Sequence, residues 1–134
     1  MNIARTRPVL IPSVVLLSIL LISGCTMSAV PDDITLTAAK TEQNVKLTLR
    51  NESGSPIGYN LCTSGLERRT TGMWEAVETG DICTMEIRTL QNGESATFDK
   101  TLPAGIPSGE YRYVNNVEAN GNRVVVASNP FMMP

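Results

Sequence analysis

The sequence predicts an all-β protein, an antiparallel β-sandwich of about seven to nine short strands. Apolar and polar residues alternate in short runs from residue 34 onward, which is the period of a half-buried strand. Clusters rich in Gly, Asn, Ser and Pro separate these runs, and no stretch after the first 24 residues keeps the apolar spacing of a helix over ten residues. We therefore expect one sandwich domain over residues 34–134.

Five strands are expected in the first half of this domain. The alternating apolar sets are Ile34, Leu36 and Ala38, then Val45, Leu47 and Leu49, then Ile57, Tyr59 and Leu61. The turn-forming residues 51–56 separate the second set from the third. Thr71-Gly72 then separates a strand over residues 66–70 from one over residues 73–77, which indicates antiparallel neighbours.

The second half continues the same pattern. Cys83, Met85 and Ile87 alternate and are expected to share one face of a strand, and a turn at residues 91–94 leads to a strand over 95–102. Asn120-Gly121 lies between the runs 111–117 and 123–128, which have high β propensity. Because Asn-Gly suits tight turns with positive φ, we expect the last two strands to form a hairpin.

The first 24 residues have the composition of a secretory leader. Arg5 and Arg7 supply a positive end, residues 9–22 are almost wholly apolar, and Leu21-Ile22-Ser23-Gly24-Cys25 follows. The apolar run of about 14 residues is shorter than the ~20 needed to cross a bilayer as a helix. Leu-Ile-Ser-Gly-Cys resembles the lipobox of bacterial lipoproteins, in which the cysteine thiol receives a diacylglycerol and the leader is removed.

The lipobox resemblance implies that Cys25 becomes the lipidated first residue and that residues 25–33 are a short tether. Two or three acyl chains hold a protein at a membrane almost permanently. The resemblance therefore places the protein in the bacterial cell envelope. In a Gram-negative cell, Thr26 after the cysteine resembles the signal for the outer membrane, where the domain would face the periplasm.

The distribution of charge limits the classes of partner. The 110 residues from Cys25 onward carry nine basic and 13 acidic side chains, a net charge of −4, and the only adjacent basic pair is Arg68-Arg69. A nucleic-acid-binding domain normally clusters its basic residues to neutralise phosphates. We therefore expect no nucleic-acid partner.

With Cys25 lipidated, two cysteines are left in a compartment that permits disulfides. We expect Cys62 and Cys83 to pair, which would close a loop of about 22 residues and stabilise the fold by roughly 3 kcal/mol. The chain has no His and no Cys-x-x-Cys spacing, so zinc and copper sites lack their usual ligands. We expect no cofactor.

Several motifs resemble the immunoglobulin-like domains of bacterial envelope lipoproteins and secreted proteins. They are the strand 45–51 ending in Asn, Trp74 in a Gly-x-Trp strand start, and the segments 90–95, 107–112 and 128–131. The resemblance covers most of residues 34–131. It implies that Tyr111 forms a tyrosine corner, with Ile106 packing beneath it. The two cysteines do not bracket Trp74 as in antibody domains, so the disulfide is expected at the periphery.

Trp74 and the lysines have structural and functional interpretations. A lone Trp in a chain with few aromatic residues is usually a core residue, although it could also be an exposed binding residue. A Ser-Lys catalytic pair would need Lys40, Lys46 or Lys100 to be buried, and we expect all three to be solvated. Because the chain has no His, Ser-His-Asp and Cys-His arrangements are impossible.

The acidic loop residues suggest one metal alternative. Glu75, Glu78 and Asp81 could supply oxygen ligands to calcium, although no spaced Asp-x-Asp loop is present. This interpretation stays open at the level of the sequence, and no metal site is predicted.

We therefore expect a lipid-anchored, non-catalytic binding or accessory module with an envelope protein as its partner. Sandwich loops commonly carry recognition, and the candidate contact segments are residues 51–56, 78–82 and 103–108. An alternative is an inhibitor of an envelope or foreign hydrolase, a protease or a lysozyme. In that case the Pro-stiffened loop 102–107 would enter an active-site cleft.

Overall fold

The computed structural model describes residues 33–134, which form two antiparallel sheets packed as a β-sandwich. The predicted fold class is confirmed, with ten strands in place of seven to nine. The predicted leader, Cys25 and the tether up to residue 32 lie outside the described residues. The strands are β1 (Ile34–Lys40), β2 (Asn44–Asn51), β3 (Ile57–Tyr59), β4 (Gly65–Thr70), β5 (Met73–Val77), β6 (Arg88–Leu90), β7 (Ser95–Thr101), β8 (Gly109–Ala119), β9 (Asn122–Ala127) and β10 (Phe131–Met133).

The smaller sheet has three strands in the order β1, β2, β7. β2 is central, and its residues pair with β1 from Ile34↔Asn51 to Lys40↔Val45. On its other edge β2 pairs with β7 from Asn44↔Thr101 to Arg50↔Ser95. The apolar residues of β2 are fully buried, which confirms the inward face that the alternation predicted.

The larger sheet is built around β8. β3 and β4 pair with successive parts of one edge of β8, and β9 and β10 pair with successive parts of its other edge. β3 and β4 therefore act as one strand that is interrupted by a short 3₁₀ turn at Leu61–Thr63. β6 then pairs with β3 and β5 pairs with β4, so these two short strands form the outer edge.

The core lies between the two sheets. Alternate residues of β8 point inward, and β4, β9 and β10 add further apolar side chains from the same sheet. The largest fully buried apolar side chains are Tyr111, Tyr113, Leu47, Leu49, Ile57, Leu66, Val45, Val117 and Val126. Asn120 and Gly121 both have positive φ, 51° and 74°, and join β8 to β9 as the predicted hairpin.

Residues 78–87, between β5 and β6, form no strand. The predicted strand that would place Cys83, Met85 and Ile87 on one buried face is wrong, since Met85 is 87% exposed and Ile87 is 56% exposed. Alternation alone does not specify whether the apolar face of a segment meets a core or solvent. Here a disulfide and polar contacts set the path of the chain. We call residues 78–87 the crossing segment.

Side-chain hydrogen bonds close the sandwich in two places. The Tyr111 hydroxyl donates to the Pro107 carbonyl oxygen at 2.6 Å, which is the geometry of a tyrosine corner. Ile106 also packs against the core. On the side of β1, the Asn129 amide bonds both backbone groups of Ala38, accepting at 2.8 Å and donating at 3.0 Å. These contacts tie β1 to the chain just before β10.

We expected Trp74 to be a core residue, and this prediction is wrong. It is half-buried on β5, opposite Arg69 and on the face of the larger sheet that points away from the core. The Arg112 guanidinium lies 4.4 Å from the centre of its ring, and that of Arg69 lies 5.9 Å away. Stacked guanidinium groups cover the indole in place of core side chains.

Candidate functional site

A groove of about 310 Å³ opens on the side of the sandwich where β6 and β7 are the edge strands. We call it the side groove. The crossing segment, the 3₁₀ turn and both edge strands contribute to its walls. The lining residues are Tyr59, Asn60, Leu61, Cys62, Ile82, Cys83, Thr84, Glu86, Arg88, Thr97 and Phe98.

Phe98 shows that this side of the sandwich is open. It pairs with Leu47, whose side chain is buried, so Phe98 lies on the core-facing side of β7. Even so, 37% of Phe98 is exposed. Among residues 33–134, no strand pairs with the outer edge of β7. The side groove therefore combines an uncovered aromatic ring with a row of unpaired backbone groups.

The predicted disulfide between Cys62 and Cys83 is confirmed, with 5.7 Å between the Cα atoms. It joins the 3₁₀ turn to the crossing segment, at the periphery of the sandwich as expected. Asn60 supports the same connection, because its side chain donates to the Thr84 carbonyl oxygen at 2.7 Å and accepts from the Cys62 amide at 3.1 Å. The disulfide and Asn60 together fix the floor of the side groove.

Lys100 is buried, which corrects the expectation that all three candidate lysines are solvated. Only 2% of its surface is exposed, because it lies on the core-facing side of β7, in phase with Phe98. Its ammonium group donates to Asp81 Oδ2 at 2.6 Å and to the Cys62 carbonyl oxygen at 2.7 Å. A buried ammonium is costly unless it is paired and hydrogen-bonded. Of its two partners, Cys62 lines the side groove and Asp81 directly precedes the lining residue Ile82.

These contacts shift the pKa of Asp81. Partial burial by itself raises the pKa of this carboxyl group, but hydrogen bonds from Lys100 and Thr79 and the charge of Lys100 outweigh it and hold the pKa below its usual value. Because the pKa is lower in the folded state, Asp81 contributes stability that is present above its unfolded-state pKa. This contribution is lost as the pH falls through the folded-state pKa.

Tyr113 lies on the inner side of the Lys100 site. The ammonium of Lys100 is 5.9 Å from the centre of its ring. Burial, with a smaller contribution from the charge of Asp81, raises the pKa of Tyr113 to about 12. The hydroxyl is buried without a hydrogen-bond partner among the described residues. The raised pKa keeps the phenol neutral at pH 7.

Ile82 stands at the rim of the side groove. It is 98% exposed, although it lies between Asp81 and Cys83 in the chain. The disulfide and the ion pair hold the backbone on both sides of Ile82, which leaves its apolar side chain directed at solvent. Ile82 is therefore accessible to a partner at the rim of the side groove.

The three predicted contact segments do not lie together. Residues 51–56 follow β2, at the end of the sandwich that also holds the turn at 91–94. Residues 103–108 follow β7 at the opposite end. Only the segment 78–82 borders the side groove, through Ile82. Two of the three segments are therefore remote from it.

The inhibitor loop is partly packed inside the molecule. Leu102 and Ile106 pack against the core, and Tyr111 holds the carbonyl oxygen of Pro107. Ala104 and Gly105 are its exposed central residues. The apolar side chains at the two ends of the loop are therefore directed inward.

Asp81 is hydrogen-bonded to Lys100. Glu75, on β5, and Glu78, just after β5, are both exposed. Within residues 33–134, no group of three acidic or cysteine side chains is close enough to hold a metal ion. The calcium interpretation therefore has no supporting geometry in this part of the chain.

No helix in the described part of the chain is long and apolar enough to cross a membrane. No known family model matches the sequence, and no curated protein is similar to it.

Replacing Asp81 by Ala should destabilise the fold, because it leaves the ammonium of Lys100 buried without its counter-ion. Exposed ion pairs contribute ~0.2–1 kcal/mol, whereas breaking a fully buried pair costs ~3–5 kcal/mol. Since Asp81 is one-third exposed and Lys100 is buried, we expect a loss of about 2 kcal/mol in the free energy of unfolding. Urea unfolding of the variant measures this loss.

The control for this prediction is the double variant Asp81→Ala with Lys100→Met. Methionine fills a similar volume without a charge, so the double variant should be more stable than Asp81→Ala alone. If adding Lys100→Met only destabilises the protein further, the burial of an unpaired charge is not the cause of the loss.

Proposed function

We propose that the protein is a lipid-anchored, non-catalytic binding module of the bacterial envelope, and that the side groove takes up an extended segment of a partner protein. The observation that supports the groove as the binding site is the combination of the open edge of β7 with the uncovered ring of Phe98. Extended segments bind such edges through backbone hydrogen bonds, and pockets beside the edge select alternate side chains.

The size and lining of the side groove favour a segment with one large apolar side chain. The groove volume is about 310 Å³, and Phe98, Tyr59 and the disulfide are among its lining residues. Burial of one such side chain contributes ~1.5–3 kcal/mol. The remaining affinity would come from backbone hydrogen bonds along β7 and from contact with Ile82.

The anchor proposal rests on the sequence. Arg5, Arg7, the apolar run and Leu-Ile-Ser-Gly-Cys together support lipid attachment at Cys25 and a position in the bacterial envelope, in the outer membrane facing the periplasm if the cell is Gram-negative. β1 begins at Ile34, so eight residues, 26–33, separate Cys25 from the first strand of the sandwich. This short connection would keep the side groove close to the membrane surface.

The groove proposal is tested by photo-cross-linking with the full-length chain in envelope extract of the source organism. A benzoylphenylalanine replaces Thr97, which lines the groove on β7. We expect one protein adduct whose cross-linked peptide is an extended segment with a large apolar residue. Ile82→Ser should reduce the adduct several-fold, since it removes the exposed apolar contact at the rim.

Met73→Ser is the matched control, because Met73 is also an exposed apolar residue, 69% exposed, but lies on β5 outside the groove lining. This control should leave the adduct unchanged. An adduct that is insensitive to Ile82→Ser, or no protein adduct at Thr97, would contradict the groove proposal. A captured hydrolase whose activity falls in the presence of the chain would identify the module as an inhibitor.

The anchor proposal predicts that Cys25→Ser abolishes acylation and releases the protein from membranes. Metabolic labelling with an alkyne fatty acid, followed by membrane fractionation, measures both effects. The double variant Cys62→Ser with Cys83→Ser is the control and should keep the label, because those cysteines form the disulfide. Equal labelling of wild type and Cys25→Ser would overturn the assignment of Cys25.

A further inference from the structure

The smaller sheet is narrower than the larger sheet by one strand. In the larger sheet, β5 and β6 lie outside β4 and β3, and β9 and β10 lie on the far side of β8. In the smaller sheet, β1 packs near β9 and β10, and β7 packs near the 3₁₀ turn between β3 and β4. Arg88 of β6 is exposed, although it is on the same face as the buried Leu90. There is therefore room for one more strand beside β7, over β6 and the crossing segment.

The backbone hydrogen bonds at the two ends of β7 show which of its backbone groups are free. The Leu102 amide donates to the Gln43 carbonyl oxygen at 3.2 Å, and the Asn51 amide donates to the Glu94 carbonyl oxygen at 3.1 Å. Both pairs continue the register of β2 and β7. Hydrogen-bonded and non-hydrogen-bonded pairs alternate in an antiparallel ladder. The even-numbered residues of β7 therefore bond β2, and the odd-numbered residues direct their N–H and C=O groups to the open edge.

A strand on the open edge would pair with these odd-numbered residues. In an antiparallel arrangement, Thr97 and Asp99 would each exchange two backbone hydrogen bonds with the residue opposite. Phe98 would form the non-hydrogen-bonded pair between them, in which the Cα atoms are about 4.5 Å apart and the side chains are closest. The side chain opposite Phe98 would enter the side groove. The ion pair of Lys100 occupies the next inward position, so the added strand would end beside Asp99.

Asp99 carries a free negative charge at the open edge. Its side chain is exposed on the outer face of the smaller sheet and forms no ion pair within residues 33–134, although Lys46 stands opposite on β2. These residues together carry nine basic and 12 acidic side chains, a net charge of −3. Opposite charges directly across two strands stabilise the pair, and like charges destabilise it. A basic residue opposite Asp99 is therefore favoured.

We propose that the partner segment joins the smaller sheet as its fourth strand, antiparallel to β7, with the order basic residue, large apolar residue, polar residue from its N-terminal end. The basic residue pairs with Asp99, the apolar residue with Phe98 and the polar residue with Thr97. Asp99 thus selects the partner by charge, and Phe98 selects it by the size of the side chain in the side groove. This inference rests on the proposed function, because it specifies how the side groove takes up the segment.

The test extends the photo-cross-linking at Thr97 to two variants of Asp99 in the full-length chain. Asp99→Pro removes the N–H at the open edge but no bond of the β2–β7 ladder, so the fold should be kept. Asp99→Asn is the matched control, which loses the charge and keeps the N–H. The adduct should fall several-fold in Asp99→Asn and by about a further tenfold in Asp99→Pro. The cross-linked peptide should have a basic residue directly before a large apolar one.

The outcomes separate this inference from the proposed function. Equal adducts in Asp99→Pro and Asp99→Asn, or a cross-linked peptide without the basic residue, would overturn the fourth strand but leave a partner in the side groove. No adduct in the chain with unchanged Asp99 would contradict the proposed function and the fourth strand together.

A synthetic peptide keeps the test informative if Asp99→Pro does not fold. The probe is fluorescein-labelled Thr-Lys-Phe-Thr-Val-Thr with blocked termini, and fluorescence anisotropy measures its binding to the full-length chain. N-methylation of its Lys should weaken binding about tenfold, because this N–H would donate to the Asp99 carbonyl oxygen. N-methylation of its Phe should have little effect, because that N–H points away from β7. Equal effects of the two methyl groups, or no binding of the unmodified peptide, would overturn the inference.

Discussion

The buried ammonium group of Lys100 is the constraint on which the arrangement of this sandwich depends. β7 places Lys100 on the core-facing side, where a charge is tolerated only with a counter-ion and further hydrogen bonds. Asp81 in the crossing segment and the Cys62 carbonyl oxygen in the 3₁₀ turn supply these contacts, and both belong to connections between strands of the larger sheet. Lys100 thus joins the two sheets on a side where no strand of the described chain does so.

The two sides of the sandwich are consequently different. On the β1 side, the Asn129 amide bonds the free edge of β1 and closes the gap between the sheets. On the β7 side, the ion pair and the Cys62–Cys83 disulfide close only one part of the gap, and the side groove occupies the rest. An inward-pointing charge on an edge strand also discourages unspecific strand pairing at that end of β7, so the open edge is restricted to the groove.

Local features of the sequence predicted the strands, because alternation and turn residues act over a few positions. The Asn120-Gly121 hairpin and the inward face of β2 follow from them directly. The path of residues 78–87 depends on contacts between distant residues, such as Lys100 with Asp81, and alternation could not reveal it. The sequence contained one signal that Lys100 points inward. Lys100 lies two residues after Phe98 and is therefore on the same face of β7. The position of Trp74 was predicted wrongly, because arginine side chains from other strands of the same sheet cover its ring in place of core residues.

Lys100 and the disulfide hold the same segment jointly, and the equilibrium of the Cys62–Cys83 disulfide with dithiothreitol measures this coupling. Lys100→Met removes both contacts of the ammonium, and Lys46→Met, on the solvent side of β2, is the control. Reduction of Lys100→Met should require a several-fold lower dithiothreitol concentration than reduction of wild type or Lys46→Met. Identical equilibria in all three proteins would show that Lys100 and the disulfide are not coupled.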